Sequence, residues 1–115
     1  MDFVQVYDDY PVITAMQIED LGFCAKGEVV RFIRDNSFTT QGTFPLNTSG
    51  GQLSVGQAGA AGGYLGLVEA LRQLTGSALG AAVPDARHGL VSGFGMINYD
   101  RGLCSGAAVL AGALP

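Results

Sequence analysis

A chain of 115 residues has room for one small domain. Six basic residues against ten acidic ones give a net charge of −4, which argues against nucleic acid, whose binders usually carry a basic face. Eighteen glycines and 14% charged residues depart from the usual composition, while a mean hydropathy of +0.30 excludes a disordered polar chain. They also leave few charges to cover a small domain's large relative surface. The composition therefore implies a surface meant to be covered by something else.

The charges are unevenly spread: residues 36–68 and 102–115 carry none. The first stretch is rich in Gly, Thr, Ser, Asn and Gln, and the second is shorter than the roughly 20 apolar residues of a spanning helix, so no membrane segment is expected. Met1-Asp2-Phe3-Val4 has no basic run, so no signal peptide is expected. Cys24 and Cys104 form no metal-binding or CxxC pattern and lie among apolar neighbours. They read as two reduced, buried cysteines of a cytoplasmic protein.

In chain order, Phe3–Tyr7 is short, β-branched and aromatic, and predicts a buried strand. Asp8-Asp9-Tyr10-Pro11 then starts a helix, with proline at its first position behind acidic residues that suit the positive helix end. Val12, Ala15, Met16 and Glu19 continue it to about Leu21, where Gly22 stops it. Glu28–Arg34 predicts a short second helix with Val29, Phe32 and Ile33 on one side. Residues 36–57 show neither helical nor strand period, and a segment of that length inside a compact domain is usually functional. Ala58–Leu74 predicts a third helix, with Leu65, Val68 and Leu71 in a stripe and Gly76 at its end. Gly59, Gly62, Gly63 and Gly66 crowd its start. Each costs about 1 kcal/mol relative to alanine in a helix, so close packing against neighbouring layers is expected, with burial nearly all round. His88–Ile97 and Leu103–Leu110 predict two strands joined in a hairpin by Asn98–Gly102. The order is β-α-α-loop-α-β-β, an α/β chain whose thin sheet has edges that must be covered.

Few motifs carry chemistry by spacing alone. Gly56-Gln57-Ala58-Gly59 matches no phosphate-loop pattern, although a loop opening onto a helix could stabilise an anion. Gly102-Leu103-Cys104-Ser105-Gly106 has the spacing of a nucleophile elbow. It lacks the helix and later histidine the elbow needs, so Cys104 reads as a small residue in a strand. His88, the sole histidine, has no companion ligands and reads as an edge residue at a strand start, so no metal site is expected. Asp8 and Asp9 read as helix-end electrostatics, and Glu69 with Arg72 as a helix-surface ion pair.

The segment Asn47-Thr48-Ser49-Gly50-Gly51 leading to Gly56-Gln57-Ala58-Gly59-Ala60-Ala61-Gly62 resembles the thiolase superfamily, which carries Asn-x-x-Gly-Gly before Gly-His-Pro-x-Gly-Ala-x-Gly. Val6-Tyr7-Asp8-Asp9-Tyr10 looks like the family's Asn/His-Glu/Asp-Ala-Phe segment. Glu19–Glu28 is similar to the lipid-transfer-protein-like branch, and Gly93-Phe94-Gly95-Met96 falls where thiolases carry Cys-x-Gly-Gly-Gly. The resemblance implies that residues 1–115 form the later part of a thiolase C-terminal half, a partial domain with a glycine-rich helix that the complete fold buries between two sheets. The nucleophilic cysteine of thiolases belongs to the other half.

Three departures shape the expected chemistry. Gln57 stands where thiolases place a histidine; an amide can donate to an oxyanion but cannot take a proton near neutral pH. Tyr7, a phenol with an ordinary pKa of about 10, replaces their Asn or His. Gly93 falls at the second, acid/base cysteine. The resemblance implies a protein that makes or breaks a C–C bond in a CoA thioester, with no covalently bound cofactor. By its likeness to thiolase-like aldolases, Tyr7 is the expected acid/base and Gln57 and the N–H of Gly95 are polar stabilisers. Expected partners are an N-terminal thiolase half or a full thiolase-like subunit in an oligomer, and a small zinc-ribbon/OB-fold protein. The isolated chain is expected to be inactive. A different class of role stays open beside it: a non-catalytic structural subunit that completes a partner's sheet.

Overall fold

The computed structural model describes residues 1–56, 59–99 and 101–112, with backbone alone at 59–61, 96–98, 101 and 102. It contains β1 (Phe3–Gln5), α1 (Pro11–Asp20), α2 (Val29–Asp35), α3 (Gly51–Val55), a 3-10 helix (Gly59–Tyr64), α4 (Leu65–Leu74), β2 (His88–Asn98) and β3 (Arg101–Ala111). The sheet order is β1-β2-β3, parallel between β1 and β2 and antiparallel between β2 and β3.

The short strand β1 is buried on both faces, its one polar residue, Gln5, included. On one side Phe3 lies over Gly89 and packs with Ala70 and Val83 beneath α4. On the other, Val4, Val6 and Leu90 meet Leu21, Phe23, Phe44 and Leu46. Edge-to-face contacts of Phe44 with Phe23 (centroids 4.8 Å apart) and Phe32 (5.0 Å) extend this second layer to α2. Glu19 ties α1 to α2, its Oε1 accepting from the Gly27 and Val29 N–H groups at 2.9 and 3.0 Å. Gly22, at φ +81°, ends α1 as expected.

On α1, Val12 and Met16 are exposed and Gln17 and Ile18 turn inward. Three expectations need correction. Of the segment 36–57, the described residues 36–56 are not without structure. Leu46 pairs with Val4 along the free edge of β1, and the Asn47 side chain carries the ladder one step further by accepting the Val6 N–H at 2.8 Å. The Asn-x-x-Gly-Gly motif thus follows a single edge bridge and ends in α3. The expected third helix is a 3-10 turn followed by α4. Its inner face is buried at Glu69, Ala70 and Gln73, and a Cβ on Gly66 would come within 3.3 Å of the Gln5 Cβ. Its outer face leaves Tyr64, Val68 and Leu71 exposed, because nothing in the described chain packs there. Finally, Cys104 is exposed and Cys24 half-buried, both as free thiols. Cys104 lies on β3, over which no layer is laid.

The hairpin follows expectation, from His88↔Ala111 to Asn98↔Arg101, with β2 beginning at His88. Beyond the three residues paired with β1, both its strands run out past the core. Among the described residues no helix is long and apolar enough to cross a membrane.

Candidate functional site

Where β1 ends, at Gln5↔Val91, β2 continues with β3 as its one strand partner, and the chain from Val6 to Tyr7 turns away from it. The gap is a cavity of about 390 Å³ lined by Tyr7, Asn47, Gln52, Ser92, Phe94 and Gly95, among others. Tyr7 and Gly95, singled out separately in the sequence, share this space. Gln57 lies outside the described residues.

Tyr7 is held at both ends. Its backbone carbonyl accepts from Gln17 Nε2 at 2.7 Å and from Thr14 Oγ1 at 3.3 Å. Its ring packs against Phe94 with centroids 6.1 Å apart. Its hydroxyl donates to Asp9 Oδ2 at 3.0 Å. Gln17 in turn accepts from Ser92 Oγ at 2.8 Å, so α1 bridges the turn after β1 to the cavity-lining part of β2.

The acidic pair does two different jobs, neither of them at the start of α1. Asp8 is buried, and its Oδ1 accepts the Gln52 N–H at 2.7 Å, which caps α3 rather than its own helix. Gly50 and Gly51 sit at φ +92° and +67°, the region L side chains rarely adopt. A Cβ on Gly51 would run into the Asp8 carboxyl, so the glycine pair of the motif is what lets the loop close over Asp8. Gln52, also buried, donates through Nε2 to the Gly62 carbonyl at 3.1 Å. Its Oε1 is the one buried side-chain polar atom among the described residues without a partner.

Under the cavity lies a polar chain that sequence spacing did not suggest. Gln5 Nε2 donates to Thr48 Oγ1 at 2.8 Å, and Thr48 Oγ1 donates to Glu69 Oε1 at 2.6 Å. Gln73 Nε2 donates to the same Glu69 oxygen at 2.8 Å, while Gln73 Oε1 accepts the Val83 N–H at 2.9 Å. Glu69 is therefore turned into the interior, and the surface pair expected with Arg72 is not among the described ion pairs, Lys26–Asp20 and Arg31–Asp35. A buried carboxylate needs such donors to offset its lost hydration.

The register also revises the expectation for Gly95. Hydrogen-bonded pairs alternate along an antiparallel ladder, and the Gly112 N–H donates to the Arg87 carbonyl at 2.7 Å. The unbroken register from there places Gly95 in a hydrogen-bonded pair with Cys104. The Gly95 N–H thus points to β3. On the cavity side the backbone groups are those of even-numbered residues, and Phe94 is the first whose N–H lies clear of the pairing with β1. Gly95 itself leaves open space where a side chain would stand. Cys104, directly opposite, sits inside a regular strand and not on an elbow.

Two perturbed groups lie away from the cavity. Asp2 is held below the usual carboxylate range by the backbone N–H groups of Arg87 and His88. Cys24 is pushed up by lost hydration and then by the Glu19 and Glu28 carboxylates, which disfavours its thiolate. Among the described residues no three His, Cys, Asp or Glu side chains gather as a metal site would need.

A partial α/β layer with a cavity at the end of a broken strand pairing, walled by an Asn-x-x-Gly-Gly loop, defines the class: a thiolase-like C-terminal domain. Residues 1–104 match the thiolase C-terminal domain-like family, and the chain belongs to it. It is 41% identical over 87 residues to a 17-hydroxy-3-oxo-4-pregnene-20-carboxyl-CoA lyase of Mycobacterium tuberculosis, a match covering 76% of this chain and 22% of the relative. It is 40% identical over 74 residues to a steroid side-chain-cleaving aldolase of Thermomonospora curvata, covering 64% of this chain and 18% of the relative. The solved structure of an Ltp2-ChsH2(DUF35) aldolase superposes with a TM-score of 0.69 at 36% identity, covering 80% of this chain and 23% of that one. The chain thus spans about a fifth of the length of these proteins.

Proposed function

We propose that this chain is the C-terminal part of a thiolase-like enzyme that cleaves or forms a C–C bond in a CoA thioester by aldol chemistry. The observation that carries the reading is the meeting of Tyr7 with the Gly93–Gly95 stretch of β2 around one cavity. Tyr7 is the acid/base. Gln57 is a polar stabiliser, and the cavity-side N–H of Phe94 takes the oxyanion role expected of Gly95, which gives room for the acyl group. The names lyase and aldolase among the relatives support a hydroxyl beside the cleaved bond. No covalently bound cofactor is required for that chemistry.

The rest of the site comes from elsewhere. The apolar outer face of α4 and the bare strand β3 are the surfaces an N-terminal thiolase half or a full thiolase-like subunit would cover, in a cytoplasmic oligomer. A zinc-ribbon/OB-fold protein is a further partner, supported by the two-component name of the matched structure. A non-catalytic subunit is the second reading, favoured by Gln57 and Gly93 standing where thiolases carry a histidine and a cysteine. Co-expression with a chain supplying the N-terminal half separates the two. Restored cleavage of a β-hydroxyacyl-CoA supports the enzyme, and restored solubility without cleavage supports the scaffold.

A further inference from the structure

Tyr7 alone is a poor base at neutral pH, since an unperturbed phenol ionises near pH 10. The structure answers this with a polar contact that leads away from the cavity. The Tyr7 hydroxyl lies 3.0 Å from Asp9 Oδ2 and donates to it, and Asp9, half-buried, is not part of the cavity wall. A phenol whose hydrogen is directed at a carboxylate can still accept a proton through its oxygen. We infer that Asp9 is the positioning residue and proton acceptor of Tyr7, so that the two residues act as a relay in which the phenol never has to exist as a free phenolate. This rests on the aldol reading above.

The step balances without any outside reagent. The substrate hydroxyl gives its proton to Tyr7 Oη as the phenol's own proton passes to Asp9 Oδ2. The O–H electron pair becomes the new C=O bond, and the C–C bond breaks toward the thioester, leaving an enolate. The proton held on Asp9 then returns through Tyr7 to the enolate carbon. One ketone and one shortened thioester leave, and the pair is back in its starting state.

The surroundings suit a carboxylate relay. From α1, Thr14 and Gln17 hold the Tyr7 carbonyl, from α3 Gln52 lines the cavity, and from β2 Ser92 and Phe94 do so. All are uncharged. Asp8, the neighbouring carboxylate, is committed to the Gln52 N–H. Adjacent residues of similar chemistry are thereby divided, one for the loop and one for the phenol.

The test compares Tyr7→Phe, Asp9→Asn and Asp9→Glu in the assembled protein, using single-turnover cleavage of a β-hydroxyacyl-CoA across pH. Asp9→Asn should lower the single-turnover rate about a hundredfold, the scale of one proton-transfer group, with substrate affinity nearly unchanged. Its remaining rate should climb with pH toward the phenol's own ionisation, and Asp9→Glu should recover part of the loss. An unchanged melting temperature for Asp9→Asn separates this from misfolding, and Asp9→Glu decides the matter if that variant is unstable. If Tyr7→Phe removes turnover while Asp9→Asn keeps the wild-type rate and pH profile, the relay is wrong and the role of Tyr7 stands. If Tyr7→Phe keeps full turnover, both are wrong.

Discussion

The two sides of β2, one facing β1 and the other carrying β3, live in different environments. Its first residues run beside β1, where Phe3, Val4 and Gln5 are 1%, 1% and 2% exposed and a layer covers each face. Along the outer strand β3, Leu103 and Val109 stand 54% and 57% exposed with no layer above them. A self-sufficient domain would not leave apolar side chains on an open edge strand. The chain's interior is thus finished around β1, and β3 is the surface that the proposed covering subunit would take. The cavity opens between the two, where β1 gives out.

Substitutions on the two sides should behave in opposite ways. Phe3→Ala, in the finished region, should cost about 3–5 kcal/mol and abolish cooperative unfolding of the isolated chain in urea. Thr48→Val strips Glu69 and Gln5 of their shared partner and should cost about 1–3 kcal/mol; a double-mutant cycle with Glu69→Gln should show strong coupling. On β3 the expectation reverses. Val109→Ser should change the stability of the isolated chain by no more than about 0.5 kcal/mol, yet weaken association with a covering subunit in sedimentation or titration experiments. A large loss in the isolated chain would mean that β3 is already packed.

Asp2→Asn carries the smallest effect. Its lowered pKa means that the ionised carboxyl stabilises the fold above the ordinary carboxylate range and loses that contribution as pH falls through the lowered value. The stability gap between wild type and variant should therefore be present at pH 7 and close in acid, followed by circular dichroism.

Legibility from sequence divided along the same line. Local patterns foretold β1, the proline start and glycine stop of α1, and the β2–β3 hairpin, because each depends on near neighbours. Contacts across the chain stayed hidden. Asp8 caps a helix 44 residues away, and no spacing rule links an acidic pair at one helix to the N–H of another. Glu69 looked like half of an i,i+3 ion pair, yet Thr48 and Gln73 draw it inward. Asn47 and Leu46 fell in a segment without period because a single bridge and a side-chain mimic of a strand leave no repeat to read. The cavity was legible in part: the family motifs pointed to Tyr7 and Gly95, and only the register showed which way the Gly95 N–H faces.

Everything proposed for the site depends on Tyr7 moving the proton in C–C bond cleavage once the thiolase-like fold is complete. The single-turnover rate of the assembled protein carrying Tyr7→Phe, with wild-type substrate affinity verified separately, measures this without an intervening step. A fall of at least about a hundredfold at unchanged affinity is predicted; a wild-type rate would contradict the role of Tyr7.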